Sequence, residues 1–222
     1  MSLMERFRQK AIHFVGYLLP LVTSAPGVLG WVGLMAAPLI GFLIAMFANG
    51  PTAVAETVVF FTANPLNPMN LVTDVGFVIS LISIVYLAIY KRRTTGFVTS
   101  GPYRYVRHPQ YVGFLLLTSG LTAWSYWIQT HTFGISWIPY QATVALWFAV
   151  LAAYVGLALA EERYLLNEYD QDYLDYRESA GFFIPGVTKR PNDILTSVSV
   201  LIVLMVLLLL FSTYWGFVTP TG

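Results

Sequence analysis

Cysteine is absent from the 222 residues of the chain. No disulfide, thiolate metal site or cysteine nucleophile is available, although this assigns no redox compartment. Charge is nearly as scarce: Asp, Glu, Lys and Arg fill 10% of positions and the net charge is +1. That balance is too weak to argue for nucleic acid, and none is expected as a partner. The longest polar stretch is about 30 residues, which leaves no room for a large soluble domain. No Gly-rich loop lies between a strand and a helix, so a soluble-type nucleotide fold is excluded. The histidines His13, His108 and His131 lack metal-ligand spacing, and no metal is expected. The basic stretch Met1 to Lys10 is followed by apolar residues without a small-residue cleavage site, so a removed signal peptide is not read.

What the chain does have is apolar sequence, with a mean hydropathy of +0.66. Several runs approach the roughly 20 residues needed to cross a bilayer. In lipid every backbone polar group must be satisfied internally, which leaves helices or a closed barrel. The runs are continuous rather than alternating, so helices are expected.

Residues 3–24 begin basic, with Arg6, Arg8 and Lys10, and are broken by Pro20 and Pro26. They predict a helix lying in the interface. Spans are predicted at Trp31–Ala48, Val72–Tyr90, Tyr111–Ile128, Gln141–Ala160 and Ile194–Phe217. Gly113, Gly120, Thr118, Ser119, Thr122 and Ala123 are small enough to let a neighbouring helix come close to the third span. From Glu161 the chain turns charged. Tyr164, Leu165, Tyr169, Tyr173, Leu174 and Tyr176 recur at three- and four-residue spacing, which predicts an amphipathic surface helix ended by Gly181 and Pro185. The last span has a Leu/Val-rich run with no polar group before Ser212, and is expected to face lipid as an anchor.

The fold expected is therefore all-α: an integral membrane helical bundle of about five spans, with an interfacial N-terminal helix and a cytoplasmic amphipathic helix. All twelve Lys and Arg residues fall in the N-terminus, the 91–110 loop and the 161–193 segment. Loops 49–71 and 129–140 and the C-terminal tail have none. By the positive-inside rule the basic side is cytoplasmic.

One stretch exceeds what topology needs. Gly101-Pro102-Tyr103-Arg104-Tyr105-Val106-Arg107-His108-Pro109-Gln110-Tyr111-Val112-Gly113 places two arginines and a histidine just ahead of a helix. A topology signal needs charge alone, whereas donors at a helix N-terminus make an anion site. Pro109 suits the first helical turn, where its missing N–H costs nothing. Glu161-Glu162 follows the fourth span directly. Two carboxylates at a lipid boundary are costly unless paired. Arg104, Arg107 or a ligand cation is expected to compensate them.

This run, followed about 50 residues later by a Glu-Glu pair, a Tyr-x-x-Tyr pattern (Tyr173, Tyr176) and the closing Ile184-Pro185, resembles the isoprenylcysteine carboxyl methyltransferase and phospholipid methyltransferase superfamily. These are integral membrane enzymes that use S-adenosylmethionine. The resemblance covers about residues 95 to 185 and implies a cofactor site made of Thr95, Gly96, Phe97, Val98, Tyr103, His108, Pro109, Gln110, Tyr111 and Glu161. It also implies Arg104 and Arg107 as anchors of cofactor or acceptor, with Glu162 a secondary site residue. No general base is assigned. The sequence departs from the family at two places. Tyr169-Asp170 stands where Phe-Gly is common, and Leu157 stands where the carboxyl methyltransferases carry a substrate arginine.

The division implied is one membrane domain over 1–222: N-terminal helices at 1–94, a cofactor-binding core at 95–190 and a C-terminal anchor at 191–222. The function implied is methyl transfer from S-adenosylmethionine to a lipid-soluble small molecule or lipidated acceptor, among membrane lipids. A phospholipid amine or a small thiol fits the same scaffold. An NADPH-dependent membrane reductase of a sterol-like substrate and a non-enzymatic lipid-binding protein are the readings from other classes.

Overall fold

The computed structural model describes residues 25–48, 66–93, 96–131, 139–188 and 192–214. The expectations for residues 3–24, His13 and Thr95 lie outside these. Five long helices are described: α1 Ala25–Phe47, α2 Pro68–Arg93, α3 Pro109–His131, α4 Tyr140–Ser179 and α5 Asn192–Tyr214. Each overlaps one of the five predicted spans, and with no strand among the described residues the fold is a membrane helical bundle. Three of them are long and apolar enough to cross a membrane, over Pro68–Lys91, Tyr140–Ser179 and Asn192–Tyr214, and α1 has a shorter apolar part at Gly33–Phe47.

Helix α3 is the centre of the bundle. Its 23 residues rise about 34 Å, enough to cross, yet it is too polar to read as an isolated span. The reason is its position. Gln110, Thr118, Ser119, Thr122 and Ser125 are buried against neighbours rather than facing lipid. Thr118 and Ser119 donate back to the carbonyls of Phe114 (2.9 Å) and Leu115 (2.6 Å). A hydroxyl satisfied on its own helix costs little in an apolar interior.

The seam between α2 and α3 is set by missing side chains. A Cβ on Gly113 would collide with Ser80 and the Gly76 carbonyl, and one on Gly76 would collide with the backbone of Gly113 and Leu117. A Cβ on Gly120 would strike Thr73 and Met69. The close approach predicted from Gly113 and Gly120 is present, and Gly76 is its counterpart on the partner helix. Helix α1 crosses onto α4. Pro38 interrupts the ladder of α1, and the next amide, Leu39, donates to the Tyr154 hydroxyl at 3.1 Å.

Two expectations are corrected. First, Glu161 does not begin a separate surface helix. Tyr140–Ser179 is two helical pieces that meet at a kink at Asp170, with φ 39° and ψ −112°, so the break falls nine residues beyond Glu161. The glutamates lie mid-helix, buried and paired, so nothing requires the helix to end there. Second, α5 is more than a lipid-facing anchor. Asp193, Ser197, Leu201, Met205, Leu208 and Ser212 form a buried stripe at helical spacing, with the remaining faces exposed. The stripe packs on α3.

Candidate functional site

At one end of the bundle the chain gathers its buried charges. After α2 it turns through Ser100 and Gly101. Gly101 has φ 62°, and a Cβ there would run into the Tyr86 ring, so the turn requires glycine. A 3-10 turn follows at Gly101–Arg104. Its Tyr103 side chain is buried, donating to the Ser83 carbonyl at 3.3 Å. The Tyr103 carbonyl accepts from the Tyr176 hydroxyl at 2.7 Å. The strand-like step after it pairs with the segment beyond α4: the Arg107 amide donates to Gly181 at 2.8 Å, and the Gly181 amide donates to Tyr105 at 3.2 Å. These bonds lock the Arg107-His108 backbone before Pro109 starts α3.

The side chains then meet. Arg107 lies 2.8 Å from Glu162 and also contacts Asp193 of α5. Arg177 lies 3.2 Å from the other oxygen of Glu162. His108 reaches Glu161 through Nδ1 (3.2 Å) and Glu162 through Nε2 (3.5 Å). Tyr111 donates to Glu161. The cluster holds two guanidinium groups and three carboxylates, with one imidazole between the glutamates. Arg107 also lies over the Phe182 ring, 5.4 Å from its centre. His108 stacks on Tyr111 and is flanked by Phe182 and Phe183.

Burial alone would push the His108 ring toward neutrality. The hydrogen bonds and charges of Glu161 and Glu162 outweigh it, and its pKa rises above the usual imidazole value. A protonated ring brings the cluster to charge balance. Several Arg107 and Arg177 contacts sit at ion-pair distance without hydrogen-bond alignment, leaving Arg107 Nε and Arg177 Nε and Nη1 without a hydrogen bond among the described residues. The Tyr173 hydroxyl is likewise buried without one.

The two glutamates differ. Both oxygens of Glu162 face guanidinium groups, and the residue is 2% exposed. Glu161 faces only a phenol and the imidazole among these partners and, at 8%, is the most exposed of the six. Its edge is the one suited to a cation.

The expected site residues divide accordingly. His108, Tyr111, Glu161, Glu162 and Arg107 come together, as the pairing of the two charged runs predicts. Pro109 starts α3 between them. Phe97 packs against Tyr169, Tyr173 and Tyr176, with ring centres 4.9 to 5.6 Å apart. Val98 is buried beside it in sequence, and the Gly96 carbonyl accepts from Lys91 Nζ at 3.2 Å. Gln110 is buried but turns toward Met35, 3.9 Å away, rather than into the charge cluster. Arg104 is exposed and makes no ion pair among the described residues. It is therefore Arg107 that compensates the glutamates. His131 lies at the opposite end of α3, stacked on Trp127. Arg177 and Asp193 were not anticipated. A signal existed for each: Arg177 lies one turn beyond Tyr173, and Asp193 is an acid in the first turn of an otherwise apolar span.

The model of the isoprenylcysteine carboxyl methyltransferase (ICMT) family matches residues 76–151. The match covers about a third of the chain, from the α2–α3 seam through the Arg107-His108 turn into α4. It stops ten residues short of Glu161. Nothing matches among curated proteins or solved structures. The match of residues 76–151 to this family model, in a helical membrane bundle, supports a membrane methyltransferase.

Proposed function

We propose that the chain is an S-adenosylmethionine-dependent methyltransferase acting on a lipid-soluble or membrane-bound acceptor. The observation that carries this reading is the asymmetry of the buried glutamate pair packed against the Arg107-His108 turn, which lies in the family-matched stretch. Glu162 is spent on two guanidinium groups, and Glu161 keeps an edge toward a ligand cation. When bound, the cofactor supplies a methyl group activated on a sulfonium. Glu161, oriented by Tyr111 and His108, holds the positive part of that ligand. The unused donors of Arg177 and the Tyr173 hydroxyl fit its carboxylate. Phe97 and its tyrosine neighbours offer an aromatic wall for a flat ring. Gly96, Val98 and Tyr103 complete the segment that wraps it, and buried side chains around the cluster exclude water.

The acceptor reading narrows at Leu157. It packs among the apolar core rather than presenting a charge. A carboxylate acceptor would find no partner there, which favours a neutral or cationic amphiphile such as a phospholipid amine or a hydrophobic thiol. Under the positive-inside rule the charged end opens to the cytoplasm.

Calorimetry on purified protein with S-adenosylhomocysteine and, in parallel, NADPH tests the reading. Binding of the first is expected in the wild type and lost in Glu161→Ala and His108→Ala. Silence toward it with a response to NADPH would replace the methyltransferase with a reductase. Transfer of labelled methyl groups into extracted lipids then identifies the acceptor class.

A further inference from the structure

Beyond the residues that would touch a cofactor, we infer that Asp193, in the first turn of α5, is a positioning residue that keeps Arg107 away from Glu161 and so leaves Glu161 available to a cationic ligand. This rests on the methyltransferase reading above.

The geometry is an alternating row of charges: Asp193, Arg107, Glu162, Arg177. Arg107 uses one Nη group on Glu162 and the other on Asp193. It is thereby held between α4 and α5. Without the Asp193 charge, one end of the guanidinium has no partner. The remaining carboxylate of the cluster is Glu161, which shares His108 with Glu162. Whether or not Arg107 swings toward it, the cluster then carries one more net positive charge beside the edge that must receive a cation.

The attachment of α5 is not the same thing as this charge. Ser197, one turn on, accepts from the Phe183 amide at 3.3 Å. It ties the same helix, without charge, to the segment beyond α4, whose Gly181 pairs with the Arg107 backbone. Asp193 also accepts its neighbouring amide, Ile194, through its other oxygen at 2.8 Å, and an asparagine oxygen can do that equally well. Asp193→Asn therefore removes the charge and keeps the local turn, while Ser197→Ala loosens the docking and keeps the charge.

The test compares S-adenosylmethionine, whose sulfur is charged, with S-adenosylhomocysteine, whose sulfur is neutral, by calorimetry on the full chain in detergent. Asp193→Asn is expected to weaken S-adenosylmethionine at least tenfold, and to lower its affinity relative to S-adenosylhomocysteine by about threefold or more. Ser197→Ala is expected to lower thermal stability and leave that ratio unchanged, and Asp193→Glu to restore it. A merely structural Asp193 would lower both affinities alike or neither, and the inference would fall. Should Asp193→Asn not fold alone, the same comparison is made in an Asp170→Gly background. A wild type that binds neither ligand overturns the methyltransferase reading and this inference with it. A wild type that binds, beside an Asp193→Asn variant with the wild-type ratio, overturns this inference alone.

Discussion

The α2–α3 seam and the charged end of the bundle are both buried, and they are held by opposite means. The seam is built on absence: Gly76, Gly113 and Gly120 let two backbones touch, and dispersion over that contact does the holding. The charged end is built on surplus: Arg107, Arg177, His108, Glu161, Glu162 and Asp193 are tolerable there because each has an opposite partner. Shape is therefore the vulnerable quantity in the first region and charge in the second. A change that adds one methyl group should matter only in the seam. A change that removes one charge at constant shape should matter only in the cluster.

The sharpest break is Arg107→Ala. It leaves Glu162 and Asp193 buried with a partner lost, and should cost about 3–5 kcal/mol, read as loss of folded protein or a large fall in thermal stability in detergent. Next is the seam. Gly113→Ala forces a Cβ into Ser80 and should cost about 1–3 kcal/mol, while ligand binding by the surviving folded fraction is unchanged. Equal losses of binding in both variants would erase the distinction between the two regions.

Helix α4 supplies the third test. Asp170 adopts a positive φ that L side chains rarely take. Asp170→Gly should relieve that strain and stabilise the protein by about 1 kcal/mol, measured by thermal unfolding. Proton linkage separates the regions further. His108 has a raised pKa in the fold, so the stability it contributes is fully present below the ordinary imidazole value and is lost as pH rises through the raised one. Stability of the wild type should fall over that window. His108→Gln should flatten this part of the profile, and Gly113→Ala should keep its shape at lower stability. The smallest effect is expected from Arg104→Ala. Exposed and without an ion pair among the described residues, it should alter stability by less than about 0.5 kcal/mol.

Much of the bundle is legible in the sequence because its signals are local. Span lengths, the Gly113 and Gly120 pair and the proline at the start of α3 each declare themselves within a few residues. The meeting of His108 with Glu161 is legible too, since both lie at the charged ends of apolar runs. What stays hidden is set by distance or by context. Arg107 and Asp193 are 86 residues apart, and no periodicity links them. Gly76 looks like any helical glycine until its partner is known. Arg177 resembles a surface residue because the helix carrying it is otherwise polar, and only the kink at Asp170 and the burial of Tyr173 show which way that turn faces. The run into α5 hides Asp193 for the opposite reason: a long apolar helix draws the eye to its lipid face.

The contact between Arg107 and Asp193 also has a meaning in time. Chains emerge from the ribosome N-terminus first. When α3 and α4 have entered the membrane, Arg107, Glu161 and Glu162 are already present, but their charges do not yet balance as they do in the finished protein. The balance arrives with the first turn of α5. The bundle thus completes its charged end as one of its last steps of assembly, and a chain interrupted before that turn would carry Arg107 without the Asp193 carboxylate.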